Sequence, residues 1–345
     1  MKKTRVAING FGRIGRAFFK VAFLRPEIDI VAINDLGNLE NLAYLLKYDS
    51  AYGKSGFDIK VVDSEKSFLV VNGKEIKCLS ERDPSALPWK ELEVDVALEA
   101  TGVFASYEKS RVHLNAGAKR VVVSAPVKDE PPEGITGATV LMGVNEEKLK
   151  VCDISSNASC TTNAGSPLMQ ILHEAVGVRK ALLSTVHGYT SSQSLVDSPN
   201  AKDFRKGRAG AANMIPTTTG AAVAVTKALT DLVGKFDGIA IRVPLLTGSL
   251  ADITFLAERP TSVEEVNGVL RKAADDSRWK NIFTVTDEPI VSSDIVGSHY
   301  ASIADLSFTR VVESDLVKVL AWYDNEMGYT YALVEHVIKT GSYIS

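Results

Sequence analysis

A chain of 345 residues, 45% hydrophobic and 23% charged with a net charge of −3, has the profile of a globular protein and the length of about two domains. The mild acidity, with no dense basic run, argues against a nucleic-acid or membrane surface. Three cysteines (Cys78, Cys152, Cys160) make no disulfide framework, and neither they nor the five histidines show metal-ligand spacing, so no metal is expected. No apolar run reaches transmembrane length, and Val6-Ala7-Ile8 is too short for a signal segment. A reducing, cytoplasmic setting is expected.

Residues 5–9 form a short β-branched run, 10–15 a glycine turn, 14–24 a helical pattern and 28–34 a second apolar strand. Strands are expected again at 94–99, 120–124 and 140–144, with a helical stretch at 112–117. Strands alternating with helices imply a parallel sheet covered by helices. The run 68–76 has Asn72-Gly73 at its centre and reads as an antiparallel hairpin inserted into that sheet. A helical pattern covers 164–176. Beyond it the texture changes to longer strands at 238–244, 249–258 and 317–323, a helix at 262–274, and a C-terminal amphipathic helix at 325–340. The fold class expected is α/β: a dinucleotide-binding domain of the Rossmann type, plus an α+β domain with a mostly antiparallel sheet. The polar stretch 188–219 is long and weakly periodic, which points to a functional loop.

Gly10-Phe11-Gly12-Arg13-Ile14-Gly15 lies between a strand and a helix. Its glycines allow a tight turn and let a pyrophosphate approach the helix N-terminus. Alone the hexapeptide could be an ordinary turn. Asp35, twenty residues beyond Gly15 at the end of the next strand, adds an acceptor for a ribose hydroxyl and repels a 2′-phosphate, favouring NAD. Cys160 sits in Ser156-Asn157-Ala158-Ser159-Cys160-Thr161-Thr162-Asn163, ahead of a helical pattern. Unpaired N–H groups and the helix dipole there favour thiolate, a nucleophile for carbonyl carbon. A lone cysteine more often fills space, but packing does not call for this run of hydroxyl and amide residues. His187 ends an apolar run; it is either the base for Cys160 or a hydrogen-bonded structural residue. Arg242 stands inside an apolar strand, as an anion clamp or as half of a salt bridge. Thr190 with Ser192 could share an anion with it. Thr217-Thr218-Thr219-Gly220 opens a helical run and is either a phosphate site or a capped helix.

Taken in order, INGFGRIGR (8–16), ND (34–35), LLKYDS (45–50), TG (101–102), SAP (124–126), MGVN (142–145), SNASCTTN (156–163), TVH (185–187), IPTTTGAA (215–222), RVP (242–244) and WYDNE (322–326) resemble the phosphorylating glyceraldehyde-3-phosphate dehydrogenase family over essentially the whole chain. The resemblance implies an NAD-binding domain at 1–158, a catalytic domain at 159–324 and a C-terminal helix at 325–345 that packs back on the first domain. It implies NAD held by Gly10, Phe11, Gly12, Arg13, Ile14, Gly15, Asp35, Thr101, Ser124 and Asn325, with Leu36 and Pro199 typical of NAD-preferring members. Cys160 is implied as nucleophile and His187 as its base. Thr190, Ser192 and Arg242 match the site for the phosphate of glyceraldehyde 3-phosphate, and Ser159, Thr161, Thr219 and Gly220 the site for inorganic phosphate. The segment 188–219 would reach a neighbouring subunit in a homotetramer. The chain departs from the pattern at Ala164, where many members have a second cysteine, at 245–249 and at a longer 129–139. Two other functions are compatible with parts of the pattern: an erythrose-4-phosphate dehydrogenase, which tends to lose the 217–220 run, and a non-catalytic NAD- or RNA-binding scaffold.

Overall fold

The structure, a computed structural model, describes residues 3–62, 67–201 and 203–344. The remaining parts of the ranges named above (1–2, 63–66, 202 and 345) lie outside the described residues. The chain separates into two compact units: Met1–Val140 with Asn145–Ala158 and Leu333–Ser345, and Leu141–Val144 with Ser159–Ala332.

The first unit contains β1 (Thr4–Asn9), β2 (Ile28–Asn34), a small ribbon of β3 (Tyr48–Asp49) and β4 (Gly53–Lys54), β5 (Ile59–Val62), β6 (Phe68–Val71), β7 (Lys74–Leu79), β8 (Val96–Glu99), β9 (Arg120–Val123), β10 (Gly137–Thr139) and β11 (Ile154–Ser156). Nine of these form one sheet in the order β10-β11-β9-β8-β1-β2-β7-β6-β5. From β10 to β7 every pairing is parallel, and only β5, β6 and β7 run antiparallel. Asn72 and Gly73 both take positive φ (49° and 81°), the backbone that a tight two-residue hairpin requires, so the expected insertion is present. The helices are α1 (Arg13–Ala22), α2 (Leu39–Lys47) and α3 (Tyr107–Asn115). α3 starts earlier than its apolar spacing indicates because Ser106 caps it, its Oγ accepting from Lys109 N at 3.1 Å. Two expectations need correction here. Residues 140–144 are not a strand: the edge strand is β10, and the chain then turns with Gly143 at φ 77° and Val144 N donating to Leu141 O. Residues 112–117 are only the end of α3, which Gly117 stops at φ 106°.

The second unit is built on β12 (Val178–Gly188), β13 (Ile215–Thr218), β14 (Phe236–Val243), β15 (Ser249–Ala257), β16 (Phe283–Thr286), β17 (Ser302–Val312) and β18 (Leu316–Tyr323), in the order β13-β14-β12-β15-β18-β17-β16. Four of its six pairings are antiparallel; β12–β14 and β16–β17 are parallel. Burial alternates residue by residue along β15, and its inward Ala251, Ile253 and Phe255 join Leu168, Met169 and Leu172 of α4 (Cys160–Val176) in one core. Each such side chain stabilises by roughly 1.5–3 kcal/mol when fully buried, so α4 is fixed in place along its length. The helix begins at Cys160, four residues ahead of its apolar period, because Ser159 is its N-cap. The other helices are α5 (Ala221–Ala228), α6 (Val263–Ala274) and α7 (Met327–Ser342). β13 lies inside the stretch 188–219 that alternation did not reveal, and β17 was likewise not expected. The fold class read from the sequence holds: a parallel-rich Rossmann-type sheet and a separate, mostly antiparallel one.

Candidate active site

The approach to Cys160 is made by backbone geometry. Ala158 takes φ 55°, a left-handed conformation that costs a side-chain-bearing residue about 1–3 kcal/mol. Ser159 then caps α4, its Oγ accepting from Thr162 N at 3.1 Å. Cys160 is therefore the first helical residue. Its Sγ is 3.3 Å from His187 Nε2, at the end of β12. The two residues are 27 apart in sequence, and strand β12 returning beside α4 brings them together.

β14 runs parallel to β12 in a register that puts Arg242 opposite His187. Arg242 Nη1 lies 2.6 Å from His187 Nδ1 and 3.2 Å from the Gly188 carbonyl oxygen, which is itself 2.6 Å from Nδ1. Burial pushes the imidazole down to about 3, the Arg242 charge adds to that, and the Gly188 carbonyl opposes it. The ring is neutral across the physiological range. Burial also raises the Cys160 thiol, against the opposing charge of Arg242 and hydrogen bonds from Thr161 and the helix start. The helix start and the Arg242 charge favour thiolate, and His187 Nε2, 3.3 Å from Sγ, is placed to take the proton.

The hydroxyl residues fall into three sets. Thr161 Oγ1 and Thr185 Oγ1 both bond Tyr323 Oη, at 2.8 and 2.7 Å, which ties α4 to β12 through β18. Thr190 Oγ1 is 2.9 Å from Ser192 Oγ, just past β12. Thr219 Oγ1 accepts from Ala221 N at 3.1 Å, and Gly220 caps α5 with no side chain, so the start of that helix is only partly satisfied. Asn325 Oδ1 accepts from Gly248 N and Ser249 Oγ, each at 3.0 Å, and from Thr247 Oγ1 at 3.4 Å. The departing segment 245–249 is thus the platform that orients this amide, with Gly248 at φ 97°.

In the first unit a cleft of about 480 Å³ is lined by Gly10, Gly12, Asp35, Leu36, Arg82 and Thr101 among others. A Cβ on Gly10 would meet Thr101 N at 2.6 Å, and one on Gly15 would meet Gly10 O at 2.0 Å, whereas the position above Gly12 is open. That is the shape a pyrophosphate needs: two glycines to close the turn, one to leave room. Phe11 N donates to Asp35 Oδ2 at 2.6 Å and Gly37 N to Oδ1 at 2.8 Å, fixing the carboxylate at the end of β2. The Arg13 side chain pairs with Asp49 at 2.9 Å, so its contribution to the cleft is the backbone at the start of α1. Ile14 is the second residue of α1. Ser124 Oγ donates to Glu99 O at 3.0 Å. The residues fit a dinucleotide.

Residues 4–107 match the family model described as the glyceraldehyde 3-phosphate dehydrogenase NAD-binding domain, and residues 159–325 match its C-terminal domain. The chain is 51% identical to the glyceraldehyde-3-phosphate dehydrogenase of Thermotoga maritima over 96% of its own length and 97% of that protein. It is 47% identical to the enzyme of that name from Borreliella burgdorferi (96% and 98% covered) and 46% to that of Geobacillus stearothermophilus (96% of each). The chain belongs to the glyceraldehyde-3-phosphate dehydrogenase family. It is an NAD-dependent oxidoreductase of that family.

Two supports of the family's site escaped the sequence reading. Tyr323 stands in the sequence only as part of WYDNE, yet its ring meets His187 edge-on, 5.9 Å between centroids. Glu99, 1% exposed, accepts from Asn9 Nδ2 at 2.7 Å, His113 Nε2 at 3.0 Å and Thr101 N at 2.8 Å. His113 Nδ1 in turn accepts from Trp89 Nε1 at 3.1 Å. An acid closing the apolar run 96–98 was the available signal. His336 is also buried, with Nε2 2.8 Å from Ser155 Oγ, and is structural.

Proposed function

We propose that the chain oxidises D-glyceraldehyde 3-phosphate with NAD and inorganic phosphate to 1,3-bisphosphoglycerate, a step of glycolysis and gluconeogenesis, through a thioester on Cys160. The observation that carries this reading is the 3.3 Å approach of Cys160 Sγ to His187 Nε2 at the start of α4. The glycine loop 10–15, Asp35, Thr101 and Ser124 are the residues to hold NAD, with Asn325 for its carboxamide. NAD, when bound, supplies the acceptor for the hydride that leaves the thiohemiacetal carbon.

Cys160 Sγ gives its proton to His187 and attacks the aldehyde carbon. The Cys160 backbone N–H and the imidazolium stabilise the oxyanion, the imidazolium gives it a proton to form the thiohemiacetal hydroxyl, and the neutral His187 ring then takes that proton back as the thioester forms. Arg242, with Thr190 and Ser192, clamps the substrate's own phosphate; guanidinium suits a phosphate through paired hydrogen bonds. Ser159, Thr161, Thr219 and Gly220 hold inorganic phosphate, which attacks the thioester and releases the acyl phosphate and the Cys160 thiol. NADH appearing when glyceraldehyde 3-phosphate is added tests the reading, and no NADH at any substrate concentration refutes it.

Asp35 next to exposed Leu36 supports a preference for NAD. Placing a 2′-phosphate beside that carboxylate costs more than about 1.4 kcal/mol, so kcat/KM with NAD should exceed that with NADP by at least roughly tenfold. Equal values would refute this, and Asp35→Gly should narrow the gap.

A homotetramer is supported by apolar side chains left exposed in the 188–219 stretch and next to β13: Leu195 and Phe204 at 84% and Met214 at 75%. Light scattering should give four times the chain mass of 37.2 kDa, and a monomer at micromolar concentration refutes it. A reducing, cytoplasmic setting is supported by three free cysteines. Among the described residues no helix is long and apolar enough to cross a membrane.

A further inference from the structure

Glu99 closes β8 with its carboxylate buried, and among the described residues no lysine or arginine pairs with it. Burying such a group is costly unless donors meet its oxygens. Oε2 accepts from Asn9 Nδ2 at 2.7 Å and from His113 Nε2 at 3.0 Å. Oε1 accepts from Thr101 N at 2.8 Å and from the Thr101 hydroxyl. The tautomer of His113 follows from its other partner. Trp89 Nε1 can only donate, and it donates to Nδ1 at 3.1 Å, so Nδ1 keeps its lone pair and the proton facing Glu99 is on Nε2.

These contacts bracket Gly10. Asn9 precedes it, and the backbone of 100–101 lies against it: a Cβ on Gly10 would meet Ala100 C at 2.7 Å and Thr101 N at 2.6 Å. Asn9 Oδ1 accepts from Asn34 Nδ2 at 2.7 Å, and Asn34 O accepts from Gly10 N at 2.8 Å. Asn9, Gly10, Asn34 and Thr101 line the cleft, whereas Glu99, His113 and Trp89 stand behind that lining. The Thr101 hydroxyl has one proton and gives it to Glu99, while its oxygen accepts from Val103 N at 3.0 Å. Thr101 therefore serves the cleft through where its backbone is held, not by donating from its side chain.

We propose that Glu99 is a positioning residue for the dinucleotide: its two carboxylate oxygens fix the segments on either side of Gly10, and the Trp89–His113 pair, outside the cleft, fixes the carboxylate. A pyrophosphate at a glycine turn is held by backbone N–H groups, and such bonds weaken steeply when misaligned. The spacing of Asn9, Gly10 and Thr101 therefore sets the affinity for NAD, and Glu99 sets that spacing. The inference rests on the reading of this cleft as the NAD site, and it adds three residues that act on the site from behind its lining.

The test is calorimetric titration of NAD into the full-length protein, at a temperature where circular dichroism shows each variant folded. Glu99→Gln keeps the shape but turns an NH₂ group either on Asn9 and His113 or on Thr101, all of them donors, so one set of bonds is lost. Its NAD dissociation constant should rise by at least about tenfold. A merely structural residue would lower the melting temperature and leave that constant within about twofold, a result that overturns the proposal. His113 separates its two nitrogens. Glutamine can place its NH₂ where Nε2 was and still donate to Glu99, whereas asparagine reaches only the place of Nδ1. His113→Gln should therefore bind NAD within about threefold of wild type, and His113→Asn at least about tenfold more weakly. Equal affinities for these two variants overturn the proposal, and the comparison stands even if Glu99→Gln does not fold. Wild-type protein that binds no NAD would instead remove the assignment of the cleft, a distinguishable outcome.

Discussion

Cys160→Ser is expected to keep NAD binding and lose oxidation by at least roughly 10³-fold, since removing a nucleophile that works as a unit with its base takes away most of the catalytic advantage. The expectation follows from placement. Serine preserves size and the cap geometry at Ser159, so α4 begins where it did, and the cleft lined by Gly10, Gly12 and Asp35 belongs to the other unit. A hydroxyl, however, is far harder to ionise than a thiol and forms no thioester. Calorimetry with NAD alongside an activity assay separates the two effects. Labelling should agree: burial raises all three thiols, Cys78 and Cys152 to about 11, but Cys160 Sγ has His187 Nε2 at 3.3 Å to take its proton, so iodoacetamide near neutral pH should modify Cys160 first. Inactivation that maps to Cys78 or Cys152 would overturn the assignment.

His187→Asn should slow turnover by roughly 10²–10⁴-fold, the range for loss of a positioned acid–base group. The residue is buried beside Cys160 and Arg242, with its imidazole neutral at physiological pH, which is the form able to accept a proton. Asparagine can still bond the Gly188 carbonyl, so the strand end should survive and the loss should fall on kcat. Near-normal turnover would return His187 to a structural role.

The parts of this protein that the sequence exposed are those with a local signature. The glycine turn and Asp35 are joined by one strand–helix–strand passage, and Asn72-Gly73 announces its own turn. Ser159-Cys160-Thr161 marks a helix start, although apolar period alone placed that start at Ala164, because the first turn of α4 is polar and held by its cap. The turn at 140–144 read as a strand because Val140, Leu141, Met142 and Val144 are apolar. Val140, Leu141 and Met142 are buried in irregular backbone around Gly143 instead. What stayed hidden depends on register between distant segments. That Arg242 faces His187 follows from the parallel pairing of β12 and β14, and that Tyr323 bridges Thr161 and Thr185 follows from β18 lying beyond β15. The burial that raises the Cys160 thiol stayed hidden for the same reason. A helix dipole can be read along the chain, whereas desolvation comes from neighbours that only folding supplies.

If a thioester forms on Cys160 and inorganic phosphate resolves it, rapid mixing with glyceraldehyde 3-phosphate and NAD will separate the two steps. Thr219 and Gly220 start α5, where incompletely satisfied N–H groups and the dipole favour an anion, and a bound phosphate gains over bulk water by proximity. A burst of NADH, close to one per Cys160, is expected whether or not phosphate is present, followed by steady turnover that requires phosphate, saturates with it and accepts arsenate in its place. A steady rate indifferent to phosphate, with erythrose 4-phosphate the better substrate, would contradict it.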